Sequence, residues 1–194
     1  MNRNARLENL TKAAIFVDVQ DMYYSAYSTC KSKIDYTKLL KFLAEGHDIA
    51  VANAYLLFGK DVDFSKFESM LRMSGFDVKK KIQETYNDKA GEENKTKTAK
   101  FSPNWEIGMT IDMIKWSKKV DCIILVSGNL RFIDTINYIK NETRVVVAAF
   151  DRFASTRCIK DVCDEFIDLC PKAANDMGVL IDSNAVEGED DVHS

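Results

Sequence analysis

The chain has 194 residues, 46% of them hydrophobic, which is about the length of one domain with enough apolar surface to enclose a core. A formal charge of -3 and a pI near 5.5 exclude a globally basic nucleic-acid binder, while leaving room for a local basic patch over an acidic site. Cys30, Cys122, Cys158, Cys163 and Cys170 form no C-x-x-C pair and accompany only His47 and His193, which argues against a zinc module and for reduced, mostly buried thiols in a cytoplasmic protein.

In chain order, residues 1–12 read as a polar N-terminal extension, without the apolar stretch of a signal peptide. Ala13 to Asp18 (AAIFVD) reads as a strand, and Tyr36, Leu39, Leu40 and Leu43 fall on one helical face. Ile49 to Phe58 is a second strand, and Phe64, Phe67, Met70 and Leu71 mark a second helix that Gly75 should end. A weaker strand covers Phe76 to Ile82. Residues about 83–101 are polar and Lys-rich and are expected to form a mobile loop. Ser102-Pro103-Asn104 looks like a helix start with Glu106 in its first turn, and Ile107, Ile111 and Ile114 suggest its apolar face. Asp121 to Ser127 and Arg144 to Phe150 are further strands, separated by a helix carrying Phe132, Ile136 and Ile139. The acidic segment 182–194 is expected to be a disordered tail.

Strands and helices alternate, and the strands are nearly continuously apolar, as in a parallel sheet covered on both faces. The expectation is one α/β domain over 13–181: a Rossmann-type, doubly wound, mostly parallel sheet of about five strands with helices on both faces. No run approaches the ~20 apolar residues of a membrane span. Ligands of such sheets bind beyond the carboxyl ends of the strands, where strand order reverses. Polar residues at those ends are Asp18 with Gln20 and Asp21, Ser127-Gly128-Asn129, and Asp151-Arg152. The chain has no G-x-G-x-x-G after its first strand, no G-x-x-x-x-G-K-[ST] and no G-x-S-x-G, and Gln20 stands where an aspartyl-phosphate phosphatase would need a second Asp. The remaining carboxylates and amides are an oxygen-rich set suited to Mg²⁺ or Mn²⁺.

Phe16 to Ser25 (FVDVQDMYYS) resembles the F-[VI]-D-x-x-N-[LF]-x-x-S opening of the NYN/LabA-like family, with Asp18 on the signature Asp and Asp21 on the usual Asn. Glu106-Ile107 with Asp112 resembles its D-V-x-L-x-x-D helix, Ile124 to Asn129 (ILVSGN) its I-L-V-S-G-D turn, and the segment from Ser155 through Asp164 and Phe166 to Leu169 its ending. The four matches run in family order from about residue 13 to residue 170. The resemblance implies a PIN-like nuclease fold and a Mg²⁺- or Mn²⁺-dependent ribonuclease site. Asp18 would be the principal metal ligand, Glu106 a second ligand or water-positioning base, and Asn129 a neutral ligand. Asp21 and Asp112 would support them from behind. Asp112 lies six positions after Glu106, on a different helix face, so the two should not hold one ion directly.

Where the family usually reads S-G-D-x-D-F, this chain reads Ser127-Gly128-Asn129-Leu130-Arg131-Phe132. Two carboxylates are replaced by an amide and a cation, which should weaken metal affinity. Arg131 and Ser127 are candidates for phosphate contact, and Lys95, Lys97 and Lys100 for an electrostatic clamp on RNA, as are Lys79, Lys80 and Lys81. Tyr23, Tyr24 and Tyr27 offer rings for base stacking, with at least one expected against the sheet. The expected function is RNA phosphodiester hydrolysis. The alternatives are an RNA-binding module without turnover and a protein-interaction domain, with a homodimer left open.

Overall fold

The structure is a computed structural model that describes residues 10–59, 62–83, 85–87, 98–100, 104–151, 154–170 and 178–182. In chain order its elements are β1 (Thr11–Asp18), α1 (Val19–Cys30), β2 (Ser32–Ile34), α2 (Tyr36–Leu43), β3 (His47–Gly59), α3 (Ser65–Met73), β4 (Asp77–Gln83), β5 (Thr85–Asn87) and β6 (Thr98–Lys100). They continue with α4 (Glu106–Ser117), β7 (Cys122–Val126), a 3-10 turn (Leu130–Phe132), α5 (Ile133–Ile139), β8 (Arg144–Ala149), α6 (Ala154–Lys160), β9 (Glu165–Asp168) and β10 (Leu180–Asp182).

The main sheet has six strands in the order β4-β3-β1-β7-β8-β9, and every neighbouring pair is parallel. The chain moves outward from β1 through β3 to β4, then returns to the other side of β1 and moves outward again through β7, β8 and β9. Strand order therefore reverses between β1 and β7, and the right-handed crossovers that parallel strands favour would send the two sets of helices to opposite faces. Ala13, Ala14, Ile15, Phe16 and Val17 of β1 and all of Cys122–Val126 are buried, as central parallel strands require. Each large apolar side chain enclosed here contributes about 1.5–3 kcal/mol to the fold.

Local chemistry sets the helix ends. Asp18 caps α1 by accepting from Asp21 N at 3.0 Å, and Asp35 caps α2 by accepting from Lys38 N at 3.0 Å. Gly75, at φ +106°, ends α3 as expected.

Several expectations need correction. The sixth strand, β9, is too short and too polar to stand out beside its apolar neighbours, but its pairing with β8 extends the sheet. The apolar face of α4 is set by Met109 and Met113, which are buried, while Ile107 and Ile111 are 72% and 46% exposed. Both sets have helical spacing, so periodicity alone does not choose between them. Tyr23, Tyr24 and Tyr27 are 54%, 60% and 57% exposed, because Val19, Met22, Ser25 and Ala26 turn the opposite face of α1 inward.

Within the stretch read as a loop over about 83–101, β5 and β6 pair antiparallel. Lys79, Lys80 and Lys81 lie in β4 at the sheet edge, within the strand expected over Phe76 to Ile82. Residues 1–9, 183–194, Lys95 and Lys97 lie outside the described residues, as do Ser102 and Pro103. Cys30 and Cys170 are joined by a disulfide with Cα atoms 6.4 Å apart, instead of being free thiols. Of the others only Cys122 is fully buried, and Cys158 is exposed. Among the described residues, no helix is long and apolar enough to cross a membrane.

Candidate active site

Asp18 ends β1 at the point where strand order reverses, and α1 begins at the next residue. Its carboxyl is pushed up to about 6, first by burial and then by the charges of Asp21 and Glu106, despite the hydrogen bond from Asp21 N. Among the described residues no cation pairs with it. Asp18 is thus a carboxylate held under electrostatic stress at the mouth of the sheet.

Asp21 ties the two central strand ends together. Its Oδ2 accepts from Ser127 Oγ at 2.9 Å and from Gly128 N at 2.7 Å, and its Oδ1 accepts from Ser25 Oγ at 3.3 Å. Ser127, fully buried, also accepts from Asn129 N at 3.2 Å. The Ser-Gly-Asn turn after β7 is therefore fastened to the first turn of α1.

Glu106 opens α4 and faces that turn. Its Oε1 accepts from Asn129 Nδ2 at 2.9 Å and its Oε2 from Asn104 Nδ2 at 3.1 Å. The Arg131 guanidinium spans both oxygens through one nitrogen, at 3.0 and 2.8 Å. Glu106 holds the guanidinium in its charged form, raising the Arg131 pKa through the hydrogen bond and the opposite charge. Asn129 Oδ1 is used locally, accepting from Arg131 N at 3.1 Å.

The N-terminus of α4 is pinned to the sheet from the other side. Trp105 Nε1 donates to Leu56 O at 3.0 Å, and Lys81 donates to Asn104 O at 2.7 Å with its ammonium 4.1 Å from the Trp105 ring centroid. Six residues along α4 from Glu106, Asp112 Oδ2 accepts from Tyr55 OH and from Lys79 Nζ, both at 2.7 Å. Burial opposes the Asp112 charge, but the hydrogen bonds from Lys79 and Tyr55 outweigh it and lower its pKa. Burial, and then the bond to Asp112, raises that of Tyr55.

Tyr55 OH also accepts from Asn53 Nδ2 at 3.3 Å, and Asn53 is 2% exposed. Tyr55→Phe removes the partner of a buried amide and one bond to Asp112. It is expected to lower unfolding free energy by about 1–3 kcal/mol, read as a fall in the urea midpoint. An unchanged midpoint would show that this network contributes nothing to stability.

The structure thus brings together Asp18, Asp21, Glu106, Ser127, Asn129 and Arg131 from the expected set. It binds Asp112, six residues along α4 from Glu106, to Tyr55 and Lys79 instead. Lys79, Lys80 and Lys81 are engaged within the protein, with Asp112, Glu68 and the Asn104 carbonyl respectively. Lys100 lies in β6. Sequence reasoning missed Asn104, whose only signal was its position two residues before Glu106.

Among the described residues, no group of three or more His, Cys, Asp or Glu side chains is arranged to hold a metal. The donor chemistry nonetheless fits a hard cation held by one or two carboxylates with water and substrate phosphate completing its shell. Asp18 is uncompensated and Glu106 lies close enough to raise its pKa. Glu106 meets that requirement only when Arg131 leaves it, since the guanidinium covers both oxygens.

A six-stranded parallel sheet with its carboxylates gathered at the β1/β7 reversal defines the PIN-like class of α/β domains. The family model described as NYN domain matches residues 12–170, and the chain belongs to that family. It is 27% identical over 162 residues to the Low amplitude and bright protein LabA of Synechococcus elongatus, covering 82% of this chain and 84% of that protein. A crystal structure of a protein of unknown function from Vibrio parahaemolyticus has a TM-score of 0.71 at 26% identity, covering 90% of this chain and 98% of that one. The family is one of ribonuclease-like domains.

Proposed function

We propose that the protein hydrolyses RNA phosphodiester bonds with a Mg²⁺ or Mn²⁺ ion anchored by Asp18. The observation that carries this reading is the state of Asp18: half-buried at the strand-order reversal, raised to about 6 beside two other carboxylates, with no described cation paired to it. Such a position gains most from a bound cation. When bound, the ion would supply an activated water and neutralise charge on the phosphodiester.

The chain's own residues do the rest. Asp18 and Glu106 hold the charge in place, and Glu106 orients the water or takes its proton. Asn104 and Asn129 orient Glu106 through its two oxygens. Asp21, bonded to Ser127 and Gly128, keeps the opposing turn in register. Arg131 would meet a phosphate with its guanidinium fork once it leaves Glu106.

Purified protein is expected to cleave RNA with added Mn²⁺ or Mg²⁺, and Asp18→Asn to reduce the rate by at least about a hundredfold, the usual cost of removing a main electrostatic stabiliser. Equal cleavage by the variant would sink the assignment. A second reading is favoured by one contact: Arg131 covers Glu106, as in a domain that retains RNA binding without turnover. Salt-sensitive RNA binding with no metal-dependent cleavage is the outcome that selects it.

A further inference from the structure

We propose that Arg131 exchanges Glu106 for a phosphate of the incoming RNA, so that divalent-ion binding and RNA binding at this site reinforce each other. The proposal rests on the metal-dependent reading above. Glu106 receives four hydrogen bonds, two from Arg131 and one each from Asn104 and Asn129. With a guanidinium nitrogen against both oxygens, the carboxylate cannot also approach a hard cation, because the ion would meet a resident positive charge at contact distance.

Arg131 is built to leave. Its side chain is 70% exposed, against 20% for that of Glu106. Its departure uncovers a carboxylate that keeps Asn104 and Asn129 as orienting partners. On the proposed function the ligand that releases the guanidinium is a phosphate of the nucleic-acid backbone, which it can take in the bidentate manner it would use for a carboxylate. RNA therefore removes the competitor of the ion, and the ion raises the cost of Arg131 returning to Glu106. By linkage the two affinities rise by the same factor.

The exchange is tested by titrating Mn²⁺ and counting free ion by electron paramagnetic resonance. The proteins are the wild type, Arg131→Gln and Asp18→Asn, each with and without a cleavage-resistant phosphorothioate RNA oligonucleotide. Asp18→Asn with the same oligonucleotide corrects for ions carried by the RNA. Wild type is expected to bind Mn²⁺ weakly alone and roughly 5–50-fold more tightly with RNA, within the usual span of coupling between sites. Arg131→Gln should bind Mn²⁺ more tightly than wild type without RNA and lose most of the RNA effect.

Wild-type Mn²⁺ binding that depends on Asp18 but is unchanged both by RNA and by Arg131→Gln overturns the exchange and leaves the metal-dependent reading standing. Absence of Mn²⁺ binding to any of the proteins, with or without RNA, overturns both.

Discussion

Asp18→Asn is expected to raise the melting temperature of the metal-free protein at pH 7.5 by roughly 6–12 °C, even as it removes Mn²⁺-dependent cleavage. The Asp18 carboxyl stands at about 6 in the fold against 3.8 in its absence, because of burial first and the neighbouring Asp21 and Glu106 charges second. Between about pH 4 and pH 6 the native state keeps a proton that the unfolded chain has lost. Stability therefore falls as pH rises through that window, and above it the native state carries the full cost of the charge. The rise from 3.8 to about 6 corresponds to on the order of 3 kcal/mol.

Asn removes the charge and keeps the helix cap, since its side-chain oxygen can still accept from the Asp21 amide. The gap between variant and wild type should be small at pH 4 and open fully by about pH 6.5. Saturating Mn²⁺ should narrow it, because a ligand at a hundred times its Kd stabilises the wild type by about 2.7 kcal/mol. Thermal unfolding across this pH range checks the expectation, and a gap independent of pH would show that the Asp18 charge is already compensated.

Loss of the Cys30–Cys170 disulfide is the second large effect. The bond links the end of α1 to the residue after the Leu169 that follows β9, across 140 positions of sequence. Constraining so long a loop in the unfolded chain contributes at most about 5 kcal/mol, and measured contributions of disulfides are typically about 2–4 kcal/mol. Cys30→Ser, or reduction of the wild type, is expected to lower the melting temperature by roughly 4–16 °C. Dithiothreitol should have no further effect on Cys30→Ser. A wild-type melting temperature indifferent to reductant would place the two sulfurs as free thiols.

Much of the fold is legible residue by residue. The continuous apolar runs at Ala13, Ile49, Asp121 and Arg144 become β1, β3, β7 and β8, because burial on both faces leaves no polar alternation. Glu165–Asp168 escapes this logic: its residues are half-exposed at the sheet edge, and only pairing with β8 makes them a strand. The face of α4 was misread for a related reason. Ile107 and Met109 belong to equally regular apolar series, and the sheet beneath α4 selects the methionines.

The acidic site divides in the same way. Asp18 could be placed at the mouth of a parallel sheet from its own neighbours, since a strand that ends in an aspartate declares both its end and its polarity. Which charge Arg131 meets could not be read, because Glu106 lies 25 residues earlier and the two converge only when α4 packs back along β7 and meets the turn that follows it. The helix spacing sets Asp112 on a different face from Glu106, but its partners, Tyr55 and Lys79 from two other strands, are long-range and could not be read.

The sequence by itself determined the α/β class, the family resemblance and the position of Asp18, since these depend on local hydrophobic pattern and on short runs of residues. Only the tertiary structure decided that Asp18 stands uncompensated while Glu106 is covered by a guanidinium and that Cys30 meets Cys170. These are long-range pairings, and they are set by strand order and helix rotation, which short-range pattern leaves undetermined.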